Sequence, residues 1–97
     1  MLNPEDYILI TDLYELTMAQ AYWAHAVTGQ ATFSLFVREL PPERGFLVAA
    51  GLEDVLRFLE GFRFSPEALA YLESTGIFSP AFLDYLGTLR FTGEVWA

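Results

Sequence analysis

The chain has 97 residues, 54% hydrophobic and 16% aromatic, with a mean hydropathy of +0.32, against about 45–50% apolar residues in an ordinary soluble domain, so it carries more apolar surface than one small core hides. Its net charge is −8 and all five bases are arginines, which leaves no basic stripe and excludes nucleic acid as a partner. With no cysteine and one histidine, disulfides, thiolate metal sites and histidine clusters are excluded, and no apolar run approaches the roughly 20 residues that span a bilayer.

The opening residues, MLNPEDY, are acidic and lack the basic patch and apolar core of a signal peptide, which points to a cytoplasmic protein. Residues 12–25 read as a helix. Asp12 is the candidate N-cap and Glu15, three residues on, completes a carboxylate version of the capping box at the positive end of the helix dipole. Leu13, Leu16 and Gln20 fall on one face, and Tyr14, Met18, Ala21, Tyr22 and His25 on another. A helix apolar on two faces is buried between layers or against a partner.

The run ATFSLFVREL alternates Phe33, Leu35 and Val37 against Ser34, Phe36 and Arg38, which predicts a strand ending at Pro41-Pro42. After the turn PPERG, FLVAAG predicts a second short strand ended by Gly51. Leu52, Val55, Leu56, Leu59 and Phe62 then recur at helical spacing, with Glu53 and Arg57 paired four apart on the wet face. FSPEALAYL and FSPAFLDYL each place a Ser N-cap before a Pro at the first helical position, predicting two short helices with Gly76 and Gly87 as terminators. Two copies fall short of a solenoid. FTGEVWA reads as the opening of another strand, and the chain ends on it, as the amino-terminal portion of something longer would.

No nucleophile triad and no glycine-rich phosphate loop is visible. His25, near a helix end, fits a capping or packing role. The acids are dispersed, as on a solvated face. Arg38, on the polar side of a strand before a turn, could grip a phosphate with its two-pronged guanidinium or pair with Glu39 or Glu43. Tyr14 could stack on a flat ligand or fill a core.

Taken in order, LITDLYELTMAQAYW, FSLFVRELPPERGFLVAAGLEDVLRFL and FRFSPEALAYLESTGIFSPAFLDYLGTLRFTGEVWA resemble the opening of nicotinate phosphoribosyltransferase over nearly the whole chain. The resemblance implies an enzyme of NAD salvage that joins nicotinic acid to phosphoribosyl pyrophosphate, giving nicotinate mononucleotide and pyrophosphate, with ATP hydrolysis through a phosphorylated histidine. It implies that residues 1–97 are a single, incomplete amino-terminal α/β domain segment of a type II phosphoribosyltransferase. The family's α/β barrel, its phosphorylated histidine and most of its catalytic contacts lie beyond this chain. His25 therefore takes no such role, and the isolated segment is expected to be inactive. ATP and magnesium serve the complete enzyme, and none is bound by this segment alone. Family members form homodimers with sites at the subunit boundary. There the resemblance places Tyr14 against the pyridine ring, apparently in the neighbouring subunit's site, with Arg38 on a phosphate and Asp12 beside Tyr14. The alternative from another class is a small stand-alone α/β interaction or dimerisation module without catalysis, with neither nucleic acid nor membrane as a partner in either reading.

Overall fold

The computed structural model describes residues 4–97; Met1–Asn3 of the acidic opening stretch lie outside the described residues. A short 3-10 turn over Pro4–Leu9 leads into four helices: α1 at Leu13–Ala24, α2 at Leu52–Glu60, α3 at Pro66–Ser74 and α4 at Pro80–Thr88. Among the described residues there is no strand, so the expected α/β architecture is corrected to an all-helical one.

The two SP segments behave as their sequences require. Ser65 Oγ accepts the N–H of Ala68 and Ser79 Oγ accepts that of Phe82, both at 3.1 Å, and Pro66 and Pro80 open the helices where no N–H is needed. α3 ends at Gly76, whose φ of +77° is the left-handed conformation that glycine adopts without a steric penalty. Gly87, read as a terminator, instead lies inside α4. A Cβ there would stand 3.3 Å from Leu69 Cδ1, so its missing side chain permits close approach of α3.

α3 and α4 pack as a hairpin around Leu72, Phe82, Leu83 and Leu86, with Phe64, Ala68, Phe78 and Ile8 of the 3-10 turn completing the buried cluster. α1 lies across α4. Its inward face is Leu16, Ala19, Gln20 and Trp23; Leu16 and Ala19 pack on the cluster, and the Trp23 ring stands 5.7 Å from Phe82 and 5.8 Å from Tyr85. No residue of α1 is buried, so the expectation of a helix covered on two faces is corrected: Tyr14, Met18 and Tyr22 face solvent. α2 carries the expected Glu53–Arg57 pair at 2.6 Å and attaches through Phe58, which meets Tyr7 and Phe62.

The expected strands at 31–40 and 46–51 are exposed backbone without regular structure, and FTGEVWA is likewise unpaired. The turn between the first two forms, with Arg44 N–H donating to Pro41 O at 3.0 Å. A strand is completed by ladder hydrogen bonds and by a face that covers it. Here the backbone finds no ladder among the described residues, and Phe33 and Leu35 are 92% and 99% exposed.

Candidate functional site

Two of the three expected site residues, Asp12 and Tyr14, lie two positions apart at the start of α1. Asp12 is the N-cap by backbone geometry, its carbonyl accepting Glu15 N–H at 3.0 Å, but its carboxylate makes no capping hydrogen bond. The expected capping box is therefore corrected. The Glu15 carboxylate accepts from the hydroxyl of Thr11, which precedes the N-cap, instead of reaching back to the Asp12 amide. The result is a carboxylate at Asp12 with no role in capping, at a helix end where the dipole is positive.

Tyr14 follows two residues later and is 59% exposed. Core packing does not account for this side chain. Its backbone carbonyl accepts the Thr17 hydroxyl at 2.9 Å. A shallow open depression at the start of α1 is lined by Leu9, Ile10, Thr11, Asp12 and Glu15, without Tyr14. Such a surface can present carboxylates to a ligand, and it cannot by itself exclude water.

Arg38 is not among the residues lining that depression. It sits in the exposed segment between α1 and α2, and no ion pair joins it to Glu39 or Glu43. The alternation that set it apart from an apolar trio does not hold, since Phe33, Leu35, Phe36 and Val37 are all exposed. His25 is the C-cap of α1, its N–H donating to Ala21 O at 3.1 Å, which agrees with a capping role.

Sequence reasoning missed Gln20. Its carboxamide spans to the connector between α3 and α4, Nε2 donating to Ile77 O at 3.2 Å and Oε1 accepting from Ser79 N–H at 2.8 Å. The signal was the spacing Leu16, Ala19, Gln20, Trp23, which marks one helical face.

Residues 9–97 match the nicotinate phosphoribosyltransferase N-terminal domain. The chain belongs to the nicotinate phosphoribosyltransferase family. A nicotinate phosphoribosyltransferase of Mycobacterium tuberculosis is 57% identical over 89 residues, covering 92% of this chain and 19% of that protein. One from Bacillus subtilis is 46% identical over 66 residues, covering 67% of this chain and 14% of that protein. The human nicotinate phosphoribosyltransferase is 42% identical over 84 residues, covering 84% of this chain and 16% of that protein. No solved structure matches. This member of the nicotinate phosphoribosyltransferase family thus spans less than a fifth of the length of these relatives. No helix among its described residues is long and apolar enough to cross a membrane.

Proposed function

We propose that this chain is the amino-terminal part of a nicotinate phosphoribosyltransferase that makes nicotinate mononucleotide and pyrophosphate from nicotinic acid and phosphoribosyl pyrophosphate, with ATP hydrolysis, as a cytoplasmic homodimer. The observation that carries the reading is the family match over residues 9–97. In support, Tyr14 and Asp12 both lie exposed at the start of α1, with neither side chain engaged in the core or in capping.

In this reading the segment binds and orients substrate. Tyr14 offers a ring face for stacking on the pyridine. Asp12 lies beside it, and Arg38 supplies a planar fork for phosphate oxygens from a segment that folds around its partner. ATP and magnesium serve the complete enzyme in this reading, and no step is assigned to them here.

The test is to incubate the full-length protein with nicotinic acid, phosphoribosyl pyrophosphate, ATP and magnesium, following nicotinate mononucleotide by chromatography and ADP by a coupled assay. Nicotinate mononucleotide formed together with ADP is the expected result. Product without ATP consumption would remove the energetic coupling, and no product would sink the assignment.

A further inference from the structure

The start of α1 is held in place by contacts further along the helix, and their chemistry differs. Leu16 and Ala19 rest on the core cluster and Trp23 lies against Phe82 and Tyr85, yet no α1 residue is buried. Apolar and ring contacts of this kind are non-directional, so they hold a helix down without fixing its register. Gln20 differs because its amide grips two backbone groups of one connector, Ile77 O at 3.2 Å and Ser79 N–H at 2.8 Å. The orientation of the carboxamide is dictated by its partners: a carbonyl only accepts, and an N–H only donates. Ser79 also caps α4 through its hydroxyl, so the gripped connector is itself anchored to a core helix.

We propose that Gln20 is a positioning residue that sets the register of α1 against the α3–α4 connector and thereby places Tyr14 for the pyridine ring. The inference rests on the substrate reading above. Tyr14 lies six residues nearer the helix start, about 9 Å along the axis at 1.5 Å per residue. A rotation or slide of α1 allowed by loss of the grip therefore appears at the ring, where small misplacements are costly to a bound substrate. The two hydrogen bonds are exposed, so water satisfies the connector once they are lost and the fold survives.

The experiment uses the full-length protein with Gln20→Met, which keeps the length of the side chain and removes both hydrogen bonds. The KM for nicotinic acid is expected to rise about three- to tenfold, within the worth of the ring stacking that misplacement of Tyr14 weakens, while the KM for phosphoribosyl pyrophosphate and the Tm hold. Amides of α1 should exchange with deuterium faster than those of α3 and α4. In a Tyr14→Ala background, Gln20→Met should add nothing to the nicotinic acid KM, because it acts through that ring. Unchanged exchange in α1, or both KM values rising together with a lower Tm, overturns the proposal. If Tyr14→Ala alone leaves the nicotinic acid KM unchanged, the stacking reading has failed on its own account; α1 exchange then decides the grip, faster upholding it and unchanged removing it.

Discussion

In the proposed reading Tyr14 meets the pyridine ring and Arg38 a phosphate, and their substitutions separate accordingly. An exposed tyrosine contributes no core packing, so Tyr14→Ala should leave stability nearly unchanged while weakening nicotinic acid by about 0.5–1.5 kcal/mol, the worth of ring stacking beyond plain burial. Tyr14→Phe should be mild, since the ring does the stacking. Arg38→Lys keeps the charge and loses the fork, so phosphorylated ligand should weaken by about 1.5–3 kcal/mol, the worth of charge-assisted hydrogen bonds. Calorimetric titration of the full-length Tyr14 variants with nicotinic acid and with phosphoribosyl pyrophosphate, and of Arg38→Lys with nicotinate mononucleotide, checks the pair. Equal losses for nicotinic acid and phosphoribosyl pyrophosphate at Tyr14, or unchanged nucleotide affinity at Arg38, would take that residue off the site.

Two helix ends use the left-handed backbone with opposite residues. α3 ends on Gly76, and a Cβ there meets nothing within 4 Å, so Gly76→Ala costs only backbone strain. α1 ends on Ala26 at φ +53°, with Ala26 N–H donating to Trp23 O at 3.2 Å and Val27 N–H to Tyr22 O at 2.9 Å. That pair of bonds is a Schellman closure, which glycine fits best. The left-handed region costs a side-chain-bearing residue about 1–2 kcal/mol, so Gly76→Ala should destabilise by about that amount. Ala26→Gly should stabilise by roughly 0.5–1 kcal/mol, because the added freedom of the unfolded chain offsets part of the gain. Urea midpoints of the two variants should move in opposite directions, and a shift of the same sign in both would refute the account.

Across the whole molecule, surface is in excess. The chain exposes 8449 Å², against about 5,600 Å² for a compact monomer of its mass. Its radius of gyration is 16.1 Å, against about 13 Å for a compact chain of 100 residues. The excess lies where the sequence is most apolar, in Phe33, Leu35, Val48 and Trp96. Unpaired backbone bearing large exposed apolar side chains favours association. The 97-residue chain should therefore self-associate, its sedimentation coefficient rising with concentration. A single monomeric species that melts cooperatively would contradict this.

Local chemistry determined the helices from sequence alone: Ser65-Pro66 and Ser79-Pro80 carry their own start signals, and the Glu53–Arg57 pair follows from four-residue spacing. The family resemblance was equally legible, because ordered motifs need no coordinates. Tertiary structure alone decided the rest. Whether Phe33 and Leu35 belong to a strand depends on a neighbouring ladder and a covering face, neither of which is encoded in alternation. Which side of α1 turns inward was settled by the α3–α4 hairpin, which took Leu16, Ala19, Gln20 and Trp23 and left Tyr14 to solvent. Periodicity names the faces of a helix; only the surface it meets chooses between them.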